Sequence, residues 1–192
     1  MFVLISIGVT VGLLLAMLLT MLLTPRVVEY VETVEINGSP KQIYDAIRHQ
    51  SQLMQWSAWP SETGSSCQVA GEDGVIGAQT VFFDKKGRRF GHQTVEALTA
   101  PSFVEFSLES KGPPHTPILA FHVVPNLAEA GADHCTVVLH FRNAIMPPFH
   151  VLLRLLGVVR WTREMHLKDL DGLKRYVEKS EDYLGQMLAK AA

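Results

Sequence analysis

The side chains of this 192-residue chain that could do chemistry are numerous but scattered. Eight histidines (His49, His92, His115, His122, His134, His140, His150 and His166) include no H-x-x-x-H or H-x-H pair, the spacings that aim two imidazoles at one metal. His122 and His140 fall in runs that read as neighbouring strands and could face the same way, yet a metal needs a third ligand that the sequence does not offer. No metal is expected. Proton transfer requires an inward-facing acid or base with a displaced pKa, and the first candidates to inspect are His92, Glu96, His122 and His140. In "HQTVEA" the alternation puts His92, Thr94 and Glu96 on one face and the more apolar Gln93, Val95 and Ala97 on the other, so Glu96 is expected in solvent. No Ser/His/Asp arrangement is legible, and G-x-S-x-G and glycine-rich phosphate loops are absent. Catalytic residues are therefore left unassigned, and no cofactor is implied.

Two of the three tryptophans stand together in "QWSAWP". On one helical turn Trp56 and Trp59 would share a side, as rings closing a core, as ligand contacts, or as interfacial anchors beside a membrane. The spacing leaves these open. Trp59, held between Ala58 and Pro60, is the expected structural ring, and Trp56 the one nearer a cavity.

Charge and cysteine use narrow the class. The chain has 17 basic and 19 acidic residues and no long basic run, so nucleic acid is not an expected partner. Cys67 and Cys135, without C-x-x-C spacing, exclude a disulfide framework as the organising principle. Oligomeric state leaves no mark in the sequence.

The elements that must position these residues begin with an uncharged run, "FVLISIGVTVGLLLAMLLTMLL", over residues 2–23. About 20 such residues span a bilayer core, and the run lacks the basic leader and A-x-A site of a cleavable signal. Residues 1–25 therefore read as a single-pass transmembrane signal-anchor. Arg26 alone bears on orientation, which leaves the side of the soluble part open. Next, "RVVEYVETVEING" alternates like a half-buried strand, with Glu32 against the pattern. Ser39 is placed to cap a helix with Pro40 at its first position, and "SQLMQW" adds a further turn. Four or five antiparallel strands follow, in "GVIGAQTVFF", "RFGHQTVEAL", "FVEFSLES", "PILAFHVV" and "HCTVVLHFRNA". Their inward sets are expected to be Val104, Phe106 and Leu108; Leu119, Phe121 and Val123; and Val137, Leu139 and Phe141. The tail is a long amphipathic helix with Leu167, Leu170, Leu173, Val177 and Leu184 on its apolar face. It is preceded by a hydrophobic lid, "FHVLLRLLGVV", too short to span a membrane.

Three stretches carry a resemblance. "VETVEINGSPKQIYDAIRHQSQLMQWSAWP", "GVIGAQTVFF…GHQTVEALTAPSFVEFSLES" and "DLDGLKRYVE" follow one another in the order of the SRPBCC superfamily, the START-like group of polyketide cyclase/dehydrase-type and lipid-transfer proteins. No one motif is strong; their order over residues 27–180 is similar to that family. The resemblance implies an α+β helix-grip fold over residues 26–192, with an antiparallel sheet wrapped around the C-terminal helix and an apolar cavity between them. Candidate lining residues are Trp56, Phe82, Val104, Phe106 and Leu108, with Phe121, Leu139, Phe141, Leu170 and Leu173. The expected function is membrane-tethered binding of a lipid or other hydrophobic small molecule. A cyclase/dehydrase-type enzyme and a membrane-held protein-interaction module are the alternatives.

Overall fold

The uncharged run forms helix α1 (Phe2–Leu23) in the computed structural model. The structure describes residues 2–112, 115–126 and 134–191, with residues 2–4, 116 and 180–191 described by backbone alone. Ile5–Leu23 is long and apolar enough to cross a membrane, and none of it is buried against the rest of the protein. The hydroxyls of Thr10, Thr20 and Thr24 each donate to the carbonyl four residues earlier, so they need no water to be satisfied.

Past Pro25 the chain runs through β1 (Val27–Asn37), α2 (Pro40–Arg48), α3 (Gln50–Trp56) and α4 (Trp59–Thr63). It continues through β2 (Ser66–Ala70), β3 (Gln79–Phe83), β4 (Arg89–Thr99), β5 (Phe103–Ser110), β6 (His115–Pro125) and β7 (His134–Ile145), and closes with α5 (Phe149–Leu155) and α6 (Val158–Ala191). The strands make one antiparallel sheet in the order β1-β7-β6-β5-β4-β3-β2. This is the α+β helix-grip arrangement. β2 gave no alternating signal because "SCQVA" is exposed along nearly its whole length, so no apolar row marks it.

Alternation sets the inner face as expected: Val104, Phe106, Leu119, Phe121, Val123, Val137, Leu139 and Phe141 are all buried. The pattern of β1 is unbroken too. Glu32 shares a row with Tyr30 and Val34, and its carboxylate meets Arg163 on α6. Helix α2 starts with a reciprocal cap, Gln42 N–H to Ser39 Oγ at 3.3 Å and Ser39 N–H to Gln42 Oε1 at 2.9 Å, with Pro40 at its first turn.

Helix α6 covers the inner face with Met165, Leu170, Leu173 and Val177. Leu167, expected in this stripe, is 40% exposed; a 3.6-residue repeat running through Leu170 and Leu173 selects His166 and Asp169 instead. Leu184 lies among the residues described by backbone alone. The lid is not one helix: Gly157, at φ 72°, ends α5 and turns the chain into α6. Against α3, α6 approaches so closely that a Cβ at Gly172 would lie 2.0 Å from the carbonyl oxygen of Trp56.

Candidate functional site

Where α5 passes over the end of β7, the packing between sheet and helices is incomplete. Val28 on β1, Phe141, Asn143 and Ile145 on β7, Leu153 on α5, and Val158, Val159 and Thr162 on α6 enclose a cleft of about 40 Å³. A water molecule's share of the liquid is about 30 Å³, so the space suits one water or a short piece of hydrocarbon. The lining has no titratable side chain.

Asn143 is the anomaly of this lining. Strand alternation carries it inward between Phe141 and Ile145, opposite Val28, where its Oδ1 is buried without a hydrogen-bond partner among the described residues. Such an acceptor costs about 1–3 kcal/mol if nothing satisfies it. His150 Nδ1 and Arg154 Nε, both on α5, are also buried and without a hydrogen-bond partner among the described residues. The remaining nitrogens of these two residues tie α5 to the start of the domain: His150 Nε2 lies 3.1 Å from the Met21 carbonyl, and the Arg154 guanidinium donates to the carbonyls of Pro25 (3.3 Å) and Val27 (3.2 Å). Of these three atoms Asn143 Oδ1 is the one in the lining of the cleft.

Phe141 connects this cleft to a polar cluster one turn further along α6. Its ring stacks on Tyr30 at 5.0 Å and meets the His166 ring at 4.8 Å, while Tyr30 Oη and His166 Nδ1 share a 2.8 Å hydrogen bond. His166 is 3% exposed, and burial lowers its pKa to about 4. Burial also pushes the Tyr30 phenol well above its ordinary range, with Glu32 adding to the effect. A neutral imidazole therefore faces a neutral phenol at physiological pH.

Asp169 follows three positions later and is 5% exposed. Its Oδ1 accepts from the Ala58 N–H at 2.7 Å and the Ser57 hydroxyl at 3.0 Å, which fastens the α3–α4 junction to α6. Burial raises its pKa to about 7; hydrogen bonds from Ala58, Ser57 and the Trp59 side chain limit the rise. This carboxyl can exchange a proton near neutral pH, although its bonds also make it a structural latch.

Most of the sequence-expected lining residues lie elsewhere in the fold. Trp56, Val104, Phe106, Phe121, Leu139, Phe141, Leu170 and Leu173 share one buried cluster, with Leu108 packed against it. Phe121 meets Trp56 at 6.4 Å and Phe106 at 6.1 Å, both edge to face. Val104, Leu139 and Leu173 have no surface a water could touch, so around them the side chains themselves fill the space under α6. Phe141 is the expected residue that lines the cleft. Phe82 is not brought to the others; it stacks on Phe90 at 6.0 Å in the β3–β4 hairpin.

Of the two tryptophans, Trp56 rather than Trp59 is the buried ring. Helix α3 ends at Trp56 and α4 begins at Trp59, so the two are not on one turn. Trp56 is the buried ring, its Nε1–H bonded to the Ala46 carbonyl at 3.0 Å, whereas half-buried Trp59 packs edge-on against Trp161 at 5.1 Å.

The acid–base candidates are dispersed. Glu96 is exposed and bonded by the Ser107 hydroxyl, and His92 faces Glu109 at 3.7 Å. His140 pairs with Glu29 at 2.8 Å, and His122 packs on Phe103. Among the described residues no three His, Cys, Asp or Glu side chains stand together as a metal site. The groups that sequence reasoning passed over, Tyr30, His166 and Asp169, had one signal: polar residues three apart, His166 and Asp169, inside an apolar helical stripe.

Comparison with known proteins agrees with this architecture. A family described as "Polyketide cyclase / dehydrase and lipid transport" matches residues 27–178. No curated protein matches in sequence. Among solved structures, a point mutant of norcoclaurine synthase from Thalictrum flavum, in complex with a transition-state analogue, superposes with a TM-score of 0.62 at 14% identity, covering 81% of this chain and 96% of that one. A protein of unknown function from Staphylococcus aureus gives 0.59 at 13% identity, covering 81% and 96%. One from Chromobacterium violaceum gives 0.54 at 14% identity, covering 80% and 99%. At such identities the likeness is one of fold. With the family match extending from the first residue of β1 into α6, the chain belongs to the polyketide cyclase/dehydrase and lipid transport family.

Proposed function

We propose that this protein is a membrane-tethered binding domain, with residues 1–25 as its anchor and residues 26–192 taking up a lipid or other hydrophobic small molecule beneath α5. The observation that carries the reading is the unpaired, buried Asn143 Oδ1 inside an otherwise aliphatic cleft. Apolar walls with one convergent polar atom are the usual chemistry of a small-molecule site. Each methylene buried there contributes about 0.8 kcal/mol, and a hydroxyl, amide or ammonium donor on the ligand would satisfy Asn143. About 40 Å³ is too small for a whole amphiphile, so loading requires α5 to move outward. Its short length and the glycine hinge at Gly157 support that motion.

A cyclase/dehydrase-type activity is the second reading, favoured by Tyr30 and His166 lying one aromatic ring beyond the cleft, with the near-neutral carboxyl of Asp169 three residues further along α6. Native mass spectrometry of the full chain released from detergent tests the first. The wild type should carry a non-covalent apolar adduct that Val159→Phe, which fills the cleft, removes. An adduct-free wild type, or equal adducts in both, would count against it.

A further inference from the structure

The outer surface of α5 and the first turns of α6 is apolar in an unusual way. Leu155 is 79% exposed and Leu156 67%, and beside them Met146, Leu152 and Trp161 are also exposed. These side chains stand close in sequence on either side of Gly157 and keep much of their surface open, Trp161 with one edge against Trp59. Monomeric soluble domains rarely leave a cluster of large apolar side chains to water.

What covers this surface follows from where α5 is fastened. His150 is fully buried, and its Nε2 meets the carbonyl of Met21, two residues before the end of α1. Arg154 holds the carbonyls of Pro25 and Val27, on the other side of that end. At 1.5 Å per helical residue, Met21 is only about 3 Å in depth from the last residue of α1. If α1 crosses a bilayer, α5 is therefore pinned at the depth of the headgroups. Two exposed cations flank this surface in sequence, Arg26 just after α1 and Arg160 in the first turn of α6, the latter paired with Glu164 at 2.9 Å. Trp161 has the residue type enriched at that depth.

We infer that α5 and the start of α6 are an interfacial seat: they lie in the plane of the bilayer surface, with Leu152, Leu155, Leu156 and Trp161 immersed among the acyl-chain ends of the headgroup region. The inference rests on α1 being a membrane span and deepens the binding reading, since the cleft lined by Leu153, Val158 and Val159 then opens against lipid. A ligand would pass from the bilayer into the cleft as α5 lifts, without crossing water. The substrate class that fits is a membrane amphiphile with a single chain entering first and its polar end left near Arg154.

The test uses the full chain in phosphatidylcholine nanodiscs. Cys67→Ser removes the half-exposed thiol, while Cys135 is buried and is left in place. An environment-sensitive fluorophore is attached at Leu155→Cys and, as a control, at Lys86→Cys in the exposed turn between β3 and β4. The Leu155 label should be quenched several-fold more by lipid carrying a nitroxide near the headgroup than by lipid carrying it at the chain terminus, and should be shielded from aqueous iodide. The Lys86 label should be quenched by iodide and by neither lipid. A Leu155 label open to iodide, or one shielded from iodide and from both lipids because another protein surface covers it, would overturn the seat. Incorporation into the nanodisc is scored separately: failure to incorporate removes the membrane span and with it the seat, whereas incorporation with an aqueous Leu155 removes the seat alone.

Discussion

Asp169 and His166 carry opposed proton affinities, and replacing one should expose the other in the pH dependence of stability. The ordinary pKa of Asp169 is 3.8 and in the fold it is about 7, so its contribution is fully present below pH 3.8 and is lost as pH rises toward 7. His166 is depressed from 6.5 to about 4; its contribution is present above pH 6.5 and is lost as pH falls through 4. Each pKa unit is worth about 1.36 kcal/mol. Over the shared window the two slopes cancel in the wild type. Asp169→Asn keeps an oxygen acceptor for Ala58 and Ser57 but cannot titrate. Relative to wild type, this variant should lose about 3 kcal/mol of stability as pH falls from 6.5 to 4, because the Asp169 term that offsets the His166 slope over that window is gone. His166→Gln should do the reverse, losing about 3 kcal/mol relative to wild type as pH rises from 4 to 6.5, because the His166 term that offsets the Asp169 slope over that window is gone. Urea unfolding of the domain at four or more pH values, followed by tryptophan fluorescence, measures both differences. Parallel profiles for the wild type and Asp169→Asn would refute the reasoning, because Asp169 would then be ionised at its ordinary pKa in the folded protein.

Trp56→Ala should cost about 3–5 kcal/mol in chemical denaturation, since it empties a buried ring site and strands the Ala46 carbonyl, whereas Trp59→Ala should cost about 1 kcal/mol, the worth of its edge contact with Trp161. Gly172→Ala should destabilise by about 1–3 kcal/mol despite alanine's better helix propensity, because the new methyl meets the Trp56 backbone, which cannot rotate away; unchanged or raised stability would contradict the contact. Deleting residues 1–25 should leave a folded domain by circular dichroism, because β1 pairs with β7 from Val27 onward. That fragment loses the Met21 and Pro25 acceptors of α5, so hydrogen exchange in residues 149–156 should quicken relative to the full chain.

Much of the fold was legible because the large apolar side chains of β5, β6 and β7 recur at every second position, and a period of two fixes which side chain faces the helix. The Ser39–Pro40 cap was legible for an equally local reason. What escaped was set by contacts distant in sequence. Both Trp56 and Trp59 meet α6, and the close passage at Gly172 that buries the end of α3 at Trp56 is more than a hundred residues away. β2 has no inward row to betray it. In the candidate site, Phe141 could be read as inward, but Asn143 became informative only when α5 was seen to cover it. His166 and Asp169 broke an apolar stripe visibly; that Tyr30 and the Ser57–Ala58 junction meet them depends on the register of β1 against α6.

The central claim, that an apolar ligand enters between β7, α5 and α6, is tested most directly by photo-cross-linking. The full chain in phosphatidylcholine nanodiscs containing a diazirine-bearing single-chain lipid is irradiated, digested and mapped by mass spectrometry. The account predicts adducts on the segments carrying Asn143 and Ile145 on β7 and Val158 to Thr162 on α6, reduced in Val159→Phe. Adducts confined to α1, or spread over the outer face of the sheet with no effect of Val159→Phe, would contradict it.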